Sequence, residues 1–259
     1  MPDMAVGAVL FQPEKQHLDK CRWGAGVVSK LRRLDQTQLS DDWLNSYEWL
    51  LNICDAEAGM EPFYWNLLSI APYNIYRHFM ALHRNATDID VRTDKGTQAY
   101  LQALDGYVRF IQAHSQRLKD QEKRGILLPR SVIPQVVTMV QTNETELVSN
   151  VGAGEQRMAM VAAGSKAGFK AAVDTRLGQI RTSMAELVDF ISTPAYGAKA
   201  PVAIGAASNP NGQAFYAAKA RTWLTTDLTP DEIHRQGAEN NVIVTGKIQA
   251  VAPAGGFSP

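Results

Sequence analysis

Cysteine is nearly absent from this chain. Two thiols in 259 residues, Cys21 and Cys54, are too few for a disulfide framework. Both fall on apolar helical faces, which reads as buried packing. Net charge is missing as well: 26 basic residues balance 26 acidic ones, and no local basic stripe breaks that balance. A nucleic-acid surface is therefore not expected. No run approaches the roughly 18 apolar residues of a transmembrane helix, so no membrane span is expected either. The apolar stretch Ala5–Phe11 has no Lys or Arg before it and makes a poor secretory signal, leaving the cytoplasm as the default expectation. No strong period-2 alternation and no repeat of 20 to 50 residues occurs, which argues against a solenoid. What remains is ordinary globular material, 45% hydrophobic and 20% charged.

Helical periodicity fills that material. Ser40 stands where it can cap a helix carrying Trp43, Leu44, Tyr47, Leu50, Leu51 and Cys54, one stripe of a 3.6-residue repeat. Gly59 ends it and Pro62 prevents continuation. Upstream, Leu18, Cys21, Ala25, Val28 and Leu31 suggest another amphipathic helix, weakened by Gly24 and Gly26. From Asp94 to Arg124 a proline-free segment of about 30 residues predicts some 45 Å of helix. Its apolar face holds Tyr100, Leu101, Leu104, Tyr107, Val108, Ile111 and Leu118, with Arg109, Gln112, Arg117 and Lys119 assigned to the surface. A helix that long needs partners along its length, which argues for a bundle of long antiparallel helices in the all-α class.

Pro129 and Pro134 flank the start of a helix through Val136, Val137 and Val140. After small residues from Ser149 to Gly168 comes a second long stripe, Phe169, Val173, Leu177, Ile180, Met184, Leu187, Val188 and Ile191, ended by Pro194. The main bundle is thus placed at 14–192, a loop-rich connector at 193–228 and a last helix at 229–252. Thr229-Pro230-Asp231-Glu232 opens that helix with a capping hydroxyl, proline at the first turn and a reciprocal glutamate. Ile233, Val244, Ile248 and Val251 are its core positions.

Motifs for chemistry are thin. No histidine precedes glutamate, and no two of His17, His78, His83, His114 and His234 are four apart, so a zinc-binding helix is not expected. His17 and Cys21 are four apart but have no third ligand. Asp88-Ile-Asp90 begins like a calcium loop and then lacks its ligands. Gly152-Ala-Gly154 and Gly164-Ser-Lys166 miss the spacing of nucleotide-binding loops. His234, one turn into the capped helix with Asp231 three residues earlier, is the ionisable group best placed to face a cleft. The plainer reading is a surface or half-buried helical histidine paired with that carboxylate.

Four stretches in order resemble one bacterial family, the domain of unknown function 885. They are Leu34-Asp-Gln-Thr-Gln-Leu39, the junction Arg124-Gly-Ile-Leu-Leu-Pro-Arg130, Gly205-Ala-Ala-Ser-Asn-Pro-Asn-Gly212 with Tyr216, and Thr225-Thr-Asp-Leu-Thr-Pro-Asp-Glu-Ile-His-Arg-Gln-Gly237. The resemblance runs from about Glu14 to Phe257. It implies a helical zincin-like metallohydrolase whose zinc motif, His-Glu-x-x-Pro-Gly-His-His, lies downstream of any residue here. The chain then corresponds to the N-terminal half, with no catalytic residue and no metal ligand, and zinc is expected only in a full-length relative. Tyr216 and His234 are the positions that could contact a substrate. The expected partner is a C-terminal catalytic half or a second copy. The alternative is a non-catalytic helical interaction or oligomerisation module, since a truncated bundle leaves apolar faces in need of cover.

Overall fold

A computed structural model describes residues 13–68, 70–224 and 228–252. The Ala5–Phe11 run, Thr225–Asp227 and Phe257 lie outside the described residues. Ten α-helices and four short 3-10 turns make up the described chain, and no strand occurs among those residues. The helices are α1 (Glu14–Leu31), α2 (Asp41–Ala58), α3 (Pro72–Thr87), α4 (Asp94–Glu122), α5 (Ile133–Val151), α6 (Glu155–Met160), α7 (Lys166–Ser192), α8 (Pro194–Lys199), α9 (Gly212–Leu224) and α10 (Pro230–Val251). Two compact units divide the chain: Met1–His17 with Phe63–Gly212, and Leu18–Pro62 with Gln213–Pro259.

The larger unit is a helical bundle. Its four long helices adjoin in a ring, α4 along α7, α7 along α5, α5 along α3 and α3 along α4. Their shared core holds Ile75, Phe79, Leu82, Leu104, Tyr107, Val136, Val140, Val173, Ile180 and Leu187, all at most 2% exposed. The long stripe of α7 is buried as its spacing requires, with only Val188 at the margin. Thr93 accepts the Gly96 backbone N–H and opens α4, satisfying one of the donors left over at a helix start.

Helix direction departs from the antiparallel expectation for half of the ring. Tyr100 meets Phe169, Asp105 meets Arg176, and Lys119 lies over Phe190; these partners are 69, 71 and 71 residues apart. A constant offset means that α4 and α7 run parallel. By contrast, His78 meets His114, Phe79 meets Phe110, and His83 meets Tyr107, so α3 and α4 are antiparallel. The Tyr100 hydroxyl donates to the carbonyl of Val151, joining the start of α4 to the end of α5. The pair α5 and α7 is therefore antiparallel as well, and α3 runs parallel to α5.

Two reversals produce this order, the connection 123–132 after α4 and the segment 152–165 after α5. Gly125 takes φ +72°, a left-handed conformation that glycine adopts without a Cβ clash, and reverses the chain after α4. Ile126, Leu127 and Leu128 are then buried and strapped down. Asn209 holds both backbone groups of Leu127, its amide accepting the N–H at 3.0 Å and donating to the carbonyl at 3.1 Å. Leu128 N–H donates to the Tyr196 hydroxyl, and Arg130 N–H to the Pro201 carbonyl.

The expected connector 193–228 holds helices α8 and α9. Pro194 does stop α7, but proline also suits a first turn, and Thr193 caps α8 through the Tyr196 N–H. Similarly, α3 carries Ile75, Phe79, Leu82 and Ala86 at helical spacing on a buried face.

In the smaller unit, α1 and α2 approach closely. A Cβ on Gly24 would lie 2.9 Å from the Cys54 carbonyl oxygen. The glycine that weakens α1 as an isolated helix is the one that lets α2 sit against it. Cys21, Gly24 and Val28 form the inner edge of α1, while Ala25 is exposed. On α2 the inner residues are Tyr47, Cys54 and Ala56; Trp43, expected in the stripe, is 68% exposed. Ser40 stands at the N-cap without a side-chain bond, leaving Asp41 and Asp42 to face the helix dipole. The capping box of α10 forms as read: Thr229 N–H donates to Glu232 Oε2 at 2.7 Å, and Glu232 N–H to Thr229 Oγ1 at 3.3 Å. The core positions assigned to α10 are corrected, for the helix has no buried residue; Val244, Ile248 and Val251 are exposed.

Candidate functional site

The parallel pair α4 and α7 presents an open cleft of about 570 Å³, lined mostly by polar residue types. Residues one turn apart supply its two walls: Asp105, Val108, Arg109 and Gln112 from α4, and Thr175, Gly178, Gln179, Thr182, Ser183 and Glu186 from α7. Small α7 side chains keep the groove open, and a Cβ placed on Gly178 would meet nothing within 4 Å. One end is closed by a two-pronged ion pair, Arg176 Nε to Asp105 Oδ1 at 2.8 Å and Nη2 to Oδ2 at 3.2 Å. Further along, Arg109 and Glu186 face the opening with no hydrogen bond or ion pair to any described residue. The floor holds Ser183, which is 4% exposed. Arg109 and Gln112, assigned to the surface, do lie there, on the rim of this cleft.

Arg117 does not. It is buried, donates through Nη2 to the carbonyls of Tyr64 and Leu67, and lies 4.1 Å over the Tyr64 ring. Burial pulls its pKa below the ordinary arginine value, although the Tyr64 contacts oppose that shift. Gln121, fully buried one turn on, donates to the carbonyls of Trp65 at 2.7 Å and Leu67 at 3.3 Å. These two side chains satisfy carbonyls at the end of the kinked 3-10 turn Glu61–Asn66, which few backbone N–H groups reach. They hold structure and reach no cleft.

A line of aromatic and imidazole rings runs between α3 and α4. His114 packs 4.2 Å from Phe110 and stacks with His78 at 6.0 Å. Burial first, then the neighbouring His78 and Arg117, push the His114 pKa down to about 3. His83 lies 5.9 Å from Tyr107, and burial lowers its pKa against the opposing pull of Glu146. Burial also raises Tyr107 well above the ordinary phenol value. These groups are kept neutral by the core, which suits packing rather than proton transfer.

Tyr216 sits on α9 and is half exposed; His234 is exposed on α10. Neither lines the α4–α7 cleft, nor the smaller cleft of about 330 Å³ bounded by Asp55, Arg221 and Thr229. No hydrogen bond or ion pair joins His234 to Asp231 among the described residues. The structure does bring together two of the motifs that carry the family resemblance. The 124–130 junction and the 205–212 stretch meet where Asn209 pairs with Leu127 and Gly125 lies against Pro210. Asn66 adds a third strand of contacts by donating to the Pro210 carbonyl at 2.7 Å.

The family model for bacterial proteins of unknown function, DUF885, matches residues 14–258. The chain belongs to the DUF885 family. Among solved structures it is similar to a candidate lipoprotein from Colwellia psychrerythraea, with a TM-score of 0.64 and 11% identity. That match covers 96% of this chain and 45% of the other, so the chain spans about half the length of its solved relative. No curated protein matches.

The described residues hold no ligand set for a metal ion: no three His, Cys, Asp or Glu side chains converge there. His17 and Cys21 are both buried, and the His17 ring packs 5.4 Å from Tyr64. Within DUF885, then, what this chain displays is an open cleft on one helix pair and buried polar side chains that hold irregular backbone in place.

Proposed function

We propose that this chain is the N-terminal helical part of a zincin-like DUF885 hydrolase, contributing one wall of a substrate cleft and no metal ligand. The observation that carries the reading is coverage: a family match over 14–258 combined with an overlap of only 45% of the solved relative. The α4–α7 cleft is the wall this reading assigns, because it combines open volume with unpaired charge. In a zincin the metal polarises the scissile carbonyl and activates water. The residues here would position substrate against that centre. Tyr216 and His234, which lie outside this cleft, remain proposed contacts of a second kind, at the exposed surface of α9 and α10.

Sequencing the locus past codon 259 tests the reading directly. An in-frame continuation with His-Glu-x-x-Pro-Gly-His-His supports it. Stoichiometric zinc and peptide hydrolysis by the purified chain alone would overturn the half-site form.

One observation favours the alternative, a helical interaction module. Val242, Ile243, Val244, Ile248 and Val251 of α10 are each more than half exposed, a concentration of apolar surface that suits a partner. Sedimentation that shows a monomer at high concentration counts against self-association through this helix.

A further inference from the structure

We propose that the α4–α7 cleft binds a short zwitterionic peptide, with Arg109 holding its carboxylate and Glu186 its terminal ammonium. The proposal names a ligand class for the wall assigned above and rests on that reading only for its relevance to hydrolysis. Binding itself is a property of the helix pair as it stands.

Geometry sets the length. Offsets of 69 to 71 residues between the parallel helices place Arg109 level with residues 178–180. Glu186 lies on the other helix, roughly 9–12 Å further along the axis at 1.5 Å per residue, and the long side chains of the pair cover the step across. An extended tripeptide spans about the same distance at roughly 3.3–3.6 Å per residue. Beyond the closed end the cleft carries two unlike charges, each unspent: neither Arg109 nor Glu186 has a bonded partner among the described residues. Asp105 is different, since Arg176 already neutralises it, so the closed end offers no competing carboxylate.

Chemistry between the ends fits a peptide backbone. Gln112 and Gln179 each bring one acceptor and two donors, matching the alternating N–H and C=O groups of an extended chain. Ser183, only 4% exposed as a residue, lies at the floor and makes no hydrogen bond to a described residue. An apolar ligand would leave that hydroxyl and both amides without partners.

Titration calorimetry of the full chain with tri-alanine tests the idea, alongside N-acetylated and C-amidated tri-alanine. The expected result is saturable binding of the zwitterion, weakened at least ten-fold by blocking either end. Arg109→Gln should weaken tri-alanine and abolish the penalty for C-amidation, while Glu186→Gln should do the same for N-acetylation. Gly178→Leu fills open space in the groove and should eliminate binding with the helical circular dichroism unchanged. Absence of saturable binding by tri-alanine at millimolar concentration overturns the proposal. So does binding that is indifferent to both end groups. Neither failure touches the zinc and locus tests of the broader reading.

Discussion

Helices α7 and α10 carry the same kind of sequence signal and end in opposite states. In α7, eight residues from Phe169 to Ile191 are buried on one face. In α10, the stripe Ile233, Val244, Ile248 and Val251 has the same helical spacing, yet nothing on the helix is buried. The caps do not explain the difference, because α10 has a complete capping box and α7 has no side-chain cap at all. Capping decides where a helix starts; neighbours decide whether its apolar face is covered. A periodic stripe reports a face that gains by burial, and α10 shows such a face without cover among the described residues.

The largest break in that comparison is expected in the core. Leu104→Ala removes a fully buried side chain from α4 and should cost about 2–5 kcal/mol of unfolding free energy, read from denaturant midpoints. Acid should act almost as strongly on the same unit. The folded-state pKa of His114 is about 3 against an ordinary value of 6.5, so protons bind the unfolded chain first. Stability is complete above pH 6.5 and falls towards pH 3, at a limiting slope of about 1.4 kcal/mol per pH unit for this one group. His78 and His83 are shifted the same way by burial and steepen the loss. His114→Phe should flatten the profile between those limits. A profile unchanged by that substitution would show that the imidazole protonates freely in the fold.

Smaller effects separate the positions that hold backbone from those that fill space. Asn209→Ala strips Leu127 of both backbone partners inside the core and should cost about 1–3 kcal/mol. Gly24→Ala drives a methyl to 2.9 Å from the Cys54 carbonyl and should cost a similar 1–3 kcal/mol, despite alanine's better helix propensity. If Gly24→Ala instead stabilises the protein, the close approach of α1 to α2 is wrong.

Much of the fold was legible in the sequence because burial and helical period are both local signals. The stripes of α4 and α7, and the stops at Gly59 and Pro194, needed no tertiary information. Arg117 was misplaced because a charged residue on a helix is ordinarily solvated; only the irregular backbone at 64–67, distant in sequence, gives it a reason to be inside. The parallel pairing of α4 with α7 was hidden for a related reason. It depends on where the connections 123–132 and 152–165 land, and no residue in either helix records that. The cleft follows from the pairing, so Ser183 and Glu186 could not be singled out beforehand, even though a serine and a glutamate three apart are visible to the eye. Asn209 lay inside a family-like motif, but that it clasps Leu127 is a contact across 82 residues.

The smallest expected effect is the sharpest test of the opening contrast. Ile248 is 57% exposed, so truncating it should change stability by less than about 0.5 kcal/mol, with the melting temperature nearly unmoved. Ile180→Ala in α7, the same kind of truncation at a fully buried site, should cost several times more. A loss above 1 kcal/mol for Ile248→Ala would mean that α10 is covered in solution, and its dependence on protein concentration would say by what. A loss that shrinks on dilution points to a second copy, since dissociation then exposes the face in both proteins. A loss independent of concentration points to cover from the same chain.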